Sequence, residues 1–245
     1  RPQPFVGRDR ELGQLEALYA EAEAEAVVRA ALVLAPAGAG KSRLRHELVR
    51  RVEARERRPI VLLGRGSSVF DGASPFGMIG SAIRAHARIQ QDEPVATQRL
   101  KLRATIREGA TSSLLPLLSQ IAAIDAQPHV VGEGIWMSDL LRDAFERWVD
   151  QVTQASPLLI VFEDVHAGDH ASIALVDSVL RNLPERPIFA IAFGRPEVEQ
   201  RFGSLWASAA PTTFRLAKLT RRAQAELAAL ALGKSAPAPL VERIV

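Results

Sequence analysis

"LVLAPAGAGKSRLRHEL", residues 32–48, decides how the rest of the chain is read. An apolar run passes through a glycine-rich turn into a basic, amphipathic segment, the pattern of strand, loop and helix. Ala35 to Ser42 fit G-x-x-x-x-G-K-[ST] everywhere but at the first position, where Ala35 stands for glycine. Gly38 and Gly40 can take dihedrals other residues avoid, and they let an anion approach the backbone with no Cβ in the way. Lys41 is then placed to reach the outer phosphates of a nucleotide, and the Ser42 hydroxyl to ligate Mg2+. The helix that starts there adds its positive dipole end. Pro36, Ala37, Ala39 and Arg43 complete the expected cofactor-binding loop. The plain alternative is a glycine-rich turn with a chance lysine. The strand before, the helix after and the phase of G-K-S weigh against it. Ala35 stands where the chain turns off the strand, and alanine suffices there if its φ is negative.

Outward from the loop, the apolar runs "AALVLA" (30–35), "PIVLLG" (59–64), "PLLIVF" (157–162) and "PIFAIAF" (187–193) read as strands, with "TTFRLA" (212–217) as a fifth. The third is apolar throughout and therefore central in a sheet covered on both faces. Residues 9–25 read as a helix with Leu12, Leu15, Tyr19 and Ala22 on one side. The basic run after the loop reads as a wet helix face, interrupted by Glu47, Glu53 and Glu56, over a buried stripe of Leu44, Leu48 and Val52. Residues 66–136 carry short helical patterns and polar breaks without strand signals. A helix follows with Leu140, Leu141, Ala144, Phe145, Trp148, Val149 and Val152 on one face. Another carries Ile173, Val176, Leu180 and Leu183. "TRRAQAELAALAL" opens a further helical section, and the last residues read as part of a second helix. Strands alternating with helices predict an α/β fold: a three-layer P-loop NTPase domain over residues 1–218 with a central parallel five-stranded sheet. The helical insert, 66–136, lies between the second and third strands. Residues 219–245 begin a separate helical section.

Two carboxylates end the third strand in "LLIVFEDVH". An acid there, beside the glycine loop, would hold the Mg2+ shell, and its neighbour would orient or deprotonate an attacking water. We assign Glu163 to the metal side and Asp164 to the water, with Ser42 as the other metal-side residue. A solvated pair capping a strand is the alternative. Arg195, after the fourth strand in "IAFGRPE", is placed to reach the γ-phosphate; otherwise it is a surface arginine before a turn. His166 and His170, four apart, could begin a zinc site, but a third ligand is missing and Asp169 reads as a helix N-cap. His46, His86 and His129 are isolated.

Composition narrows the class. Hydrophobic residues make up 47% and charged residues 24%, which is the balance of a globular chain rather than a disordered one. Cysteine is absent, which removes disulfides and thiolate chemistry and fits a cytoplasmic protein. With 31 Lys+Arg against 28 Asp+Glu, the net charge of +3 gives little support to nucleic-acid binding, and none is expected of this segment directly. No apolar run approaches the ~18 residues a membrane span needs. The start, "RPQPFVGRD", has no signal-peptide core and no initiator methionine, and the chain is expected to be part of a longer protein.

Taken in order, "FVGRDREL", "APAGAGKSRL", "LLIVFEDVHAGD" and "GRPE" resemble the AAA-type ATPase domain of STAND signalling NTPases, above all those of large bacterial ATP-dependent transcription activators and of cyclase- or kinase-linked modules. "SSVFDGASPFGMIGSAIR" and "SSLLPLLSQI" resemble that group's helical segment, and "LAKLTRRAQAEL" the opening of its lid. The resemblance implies ATP or ADP with Mg2+ as ligands. It places Val6 and Gly7 near the base and Arg8 beside the nucleotide. As partners it implies winged-helix, sensor and effector modules of the same longer chain, with nucleotide-dependent self-association as a further possibility. It also implies a switch between ATP and ADP states, with slow turnover by this fragment. Rival readings are an origin-recognition-like DNA-handling ATPase, a small-molecule kinase, and a nucleotide-binding scaffold without turnover.

Overall fold

The computed structural model describes residues 5–67, 75–124 and 135–232. Parts of the expected helical insert (68–74 and 125–134, with His129) and the expected second helix after 232 (233–245) lie outside them. In chain order the elements are α1 (Asp9–Glu25), β1 (Val28–Leu34), α2 (Lys41–Glu53) and β2 (Ile60–Arg65). Then come α3 (Gly77–His86), α4 (Val95–Arg103), α5 (Thr111–Ile121), α6 (Ile135–Thr153) and β3 (Leu158–Glu163). α7 (His170–Asn182), β4 (Ile188–Gly194), α8 (Val198–Phe202), β5 (Thr212–Arg215) and α9 (Arg221–Leu232) complete the set.

The five strands form one parallel sheet in the order β2-β3-β4-β1-β5. Alternate side chains along each strand feed two separate cores. Ala30, Leu32 and Leu34 of β1, with Leu158, Ile160 and Phe162 of β3, pack against α3 to α7. Ala31, Val33, Leu159, Val161, Phe189 and Ile191 face the other way, onto α1 and α2. Both faces are covered, so β3 can be apolar up to Phe162 and β4 throughout, and all their residues are buried. This is the predicted three-layer α/β fold.

The expected helix over 9–25 forms over those residues, with Leu12, Leu15, Tyr19 and Ala22 buried. β1 starts two residues earlier than its apolar run and ends before Ala35, while β5 stops at Arg215. Three readings need correction. Leu140 belongs to the expected α6 stripe but is 44% exposed, because it lies at the edge of a face whose centre is Leu141, Phe145 and Trp148. Glu47 is buried, not wet: Arg50 and Arg51 of its own helix bond its carboxylate at 2.6 and 3.0 Å, and Arg43 lies 3.9 Å away. Leu183 falls just past the end of α7, as its C-cap.

Parallel strands put every carboxyl end at one edge of the sheet. The chain leaves β1 for the far edge at β2 and later crosses from β4 past β1 to β5. Ligands of open α/β sheets bind at such an edge, where the strand order reverses.

Candidate functional site

The loop from Ala35 to Gly40 crosses this edge. Ala35 is buried, continues the ladder by donating its N–H to the Gly194 carbonyl at 3.1 Å, and is not among the described residues with positive φ. The missing glycine is therefore of no consequence to the backbone. Gly38 and Gly40 carry φ of +76° and +90°, the left-handed region that side chains strain. A Cβ built on either finds no heavy atom within 4 Å among the described residues. Conformation demands these two glycines, and the space above them is open. Gly40 is the N-cap of α2 and supplies no side chain, so the first N–H groups of a 13-residue helix point into that space.

Lys41 folds back over the loop, donating to the carbonyls of Ala35 and Pro36 at 2.7 and 2.9 Å. Burial lowers its pKa from the ordinary lysine value. Asp164 and Glu197 oppose that shift and Arg195 adds to it, so these three groups surround the ammonium electrostatically. His166 belongs to the same group. Its pKa is lowered first by burial and then by Arg195, with Asp164 and Glu197 pulling back. Asp164 is held at 3.0 Å by Arg65, and its backbone is left-handed at φ +48°. Asp164 and Arg195, found separately in the sequence, thus both act on the charge of Lys41.

Glu163 looks elsewhere. It continues the face of β3 that carries Leu159 and Val161, and so meets α2. Arg45 grips it there, Nε to Oε1 at 3.1 Å and a terminal nitrogen to Oε2 at 3.4 Å. Arg45 lies three residues beyond Ser42, on the same side of the helix. Ser42 itself is exposed at the helix start, and Arg43 is half-buried. The Ser42 hydroxyl and the two carboxylates are hard oxygen donors of the kind Mg2+ takes, so the donor chemistry fits that ion.

Of Val6, Gly7 and Arg8, the arginine reaches the loop. Arg8, only 7% exposed, donates to the Ala39 carbonyl at 3.2 Å, to Glu11 at 2.9 Å and to the Ala217 carbonyl past β5. Gly7 (φ +72°) sits so close to the last described helix that a Cβ would lie 2.9 Å from that of Ala223. The segment therefore joins the loop to α9.

The turn after β3 is fixed from several sides. Arg201 donates to the carbonyls of His166 and Gly168 at 2.9 and 3.0 Å. Asp169 is the N-cap of α7, accepting from Ser172 N at 2.6 Å, and it also accepts Met78 N of α3 at 2.9 Å. His170 packs on Phe202, ring centroids 4.5 Å apart. No cluster of three His, Cys, Asp or Glu suited to a metal occurs among the described residues. A cleft of about 530 Å³ beside Ile60, His86 and Arg107 lies at the start of β2, the opposite end of the sheet.

Sequence reasoning missed Arg45, Arg65 and Glu197. Only Arg45 left a signal, its three-residue spacing from Ser42 on an amphipathic helix.

The family model for the AAA ATPase domain matches residues 4–191. No curated protein matches the chain. Among solved structures, Cdc6p from Pyrobaculum aerophilum is similar with a TM-score of 0.54 and 13% identity, over 92% of this chain and 49% of that one. The Aeropyrum pernix ORC1 protein in complex with DNA gives 0.52 and 14%, again over 92% and 49%. The Aeropyrum pernix ORC2 protein, in ADPNP-ADP complexes, gives 0.51 and 12% over 93% and 52%. The chain spans about half the length of these structures. At such identities the likeness establishes the fold alone.

Proposed function

The chain belongs to the AAA ATPase domain family, and from that premise we propose that it is the ATP-binding, slowly hydrolysing regulatory module of a larger signalling or transcription-regulating protein. The observation that carries this reading is the loop itself. Two left-handed glycines and an uncapped helix start open onto free space, with the Lys41 ammonium at its edge. Main-chain amides and a cation arranged in this way suit the oxygens of a triphosphate.

In this reading Pro36 to Arg43 cradle the phosphates, and Lys41 leaves its two carbonyls for them. Ser42 and Glu163 hold Mg2+, which when bound neutralises charge on the phosphate oxygens. Glu163 takes the metal side because it shares the Ser42 face of α2. Asp164 acts on the charge of Lys41 and is the group to orient or deprotonate water. Arg195 contacts the terminal phosphate and distinguishes ATP from ADP. Val6 and Gly7 lie toward the base, with Arg8 beside them.

Switching follows from α9. Gly7 packs on it at Ala223 and Arg8 bonds both the loop and Ala217 ahead of it, so a ligand that prefers one placement of the lid shifts the population by its differential affinity. The STAND-like regulatory role, with winged-helix, sensor and effector modules as partners, rests on the sequence resemblance. The fold shared with the DNA-bound ORC1 structure supports a second reading, a DNA-handling ATPase.

Thermal denaturation tests nucleotide binding, and DNA retention separates the two readings. Millimolar Mg-ATP, about a thousandfold above a micromolar Kd, should stabilise the fold by about 4 kcal/mol. No shift with ATP or ADP would refute nucleotide binding. DNA retention that falls steeply with salt would favour the second reading.

A further inference from the structure

Both acids that end β3 already have a cation. The Arg65–Asp164 pair is open to solvent, its side chains 69% and 35% exposed, and contributes little. The Arg45–Glu163 pair differs, with side chains 22% and 11% exposed and two nitrogens on two oxygens. A guanidinium keeps its charge at every accessible pH, and its planar fork suits a carboxylate.

We propose that Arg45 is a resident counter-charge for Glu163 and that it sets the metal dependence of nucleotide binding. The proposal rests on the nucleotide-binding reading above. A bare, largely buried carboxylate beside the loop repels a triphosphate, and in its absence of any partner a divalent ion would have two tasks, screening the phosphates and neutralising the acid. Here Arg45 performs the second task from within the protein. Nucleotide is therefore accepted with or without the ion, and the ion competes with Arg45 for Glu163. Arg45 is a positioning residue that acts through Glu163, and its side chain is needed for metal-free binding only.

The test is calorimetric ATP binding by the full chain in EDTA and in excess Mg2+, for the parent protein, Arg45→Leu, Glu163→Gln and the double variant. The parent should change affinity by less than about threefold between the two conditions, whereas Arg45→Leu should lose about tenfold or more in EDTA alone. Glu163→Gln in the Arg45→Leu background should restore binding in EDTA, because no acid then remains to be neutralised. Circular dichroism checks each fold. The double variant, which removes the pair as a unit, and Glu163→Gln alone keep the comparison open if Arg45→Leu does not fold: both should bind ATP in EDTA at least as well as the parent. Equal Mg2+-to-EDTA ratios in the parent and Arg45→Leu, or weaker EDTA binding by Glu163→Gln, overturn the proposal. If no protein binds ATP in either condition, the nucleotide-binding reading fails, and the proposal with it.

Discussion

At the scale of single residues, Lys41 and Glu47 show how the same helix serves two ends. Lys41, at the first turn of α2, holds only the loop's own carbonyls, so removing its ammonium breaks no core contact. Lys41→Ala should leave the melting temperature without nucleotide nearly unchanged. It should also remove about 3 kcal/mol of ATP affinity, the scale of charge-assisted bonds, as read by the loss of the ATP-induced thermal shift. Glu47, two turns further, is buried among Arg43, Arg50 and Arg51, and the Arg50 hydrogen bond foremost pulls its pKa from 4.5 to about 2. Between those values the unfolded chain binds more protons than the folded one, so stability rises with pH through that window. The contribution is complete above the unfolded value and fades as pH falls toward the folded one. Glu47→Gln should therefore show a smaller drop in urea midpoint between about pH 6 and about pH 3 than the parent protein does.

Among elements, the contact of the helical insert with the acidic strand end matters most. Asp169 caps α7 through Ser172 N and also receives the N–H of Met78, while the Ser172 hydroxyl receives that of Ile79. One carboxylate and one hydroxyl thus serve the first turns of two helices. Asp169→Ala leaves both helix starts short of acceptors and should cost about 2 kcal/mol, twice a typical cap, by denaturant unfolding. Asp169→Asn, which keeps an oxygen for one helix, should recover part of the loss. The cap on α7 is legible in "HAGDH" because side-chain capping is local. The second use of the same carboxylate, by a helix that precedes it by more than 90 residues, is not. Helices α1 and α7 were similarly legible from their 3.6 period, and the buried strands from their unbroken apolar runs. Leu140 was not, because a stripe marks a face without marking its edge.

For the molecule as a whole, Arg8 links the N-terminal segment, the loop and the stretch that leads from β5 to α9, through Glu11, Ala39 and Ala217. Arg8→Ala should loosen the stretch at Ala217 that leads into α9. Amides in Arg221–Leu232 should then exchange at least about tenfold faster by hydrogen-exchange mass spectrometry, while those of β3 and β4 keep their protection. Equal acceleration throughout would mean general destabilisation instead of a broken link. Among the described residues no helix is long and apolar enough to cross a membrane.

The order of residues alone determined the layer architecture, the glycine loop and the acids at the strand end. Each of these depends on neighbours a few positions apart, through the 2.0 and 3.6 periods, the left-handed freedom of Gly38 and Gly40, and the phase of Lys41 and Ser42. Only the tertiary structure decided the strand order and the company each charge keeps. It set Arg45 on Glu163, Arg65 on Asp164, Arg8 on Ala217, and both Asp164 and Arg195 around Lys41. Ion pairs and long-range hydrogen bonds act over a few ångströms of space, and which charges come that close is set by how the parallel strands are stacked side by side, not by their distance along the chain.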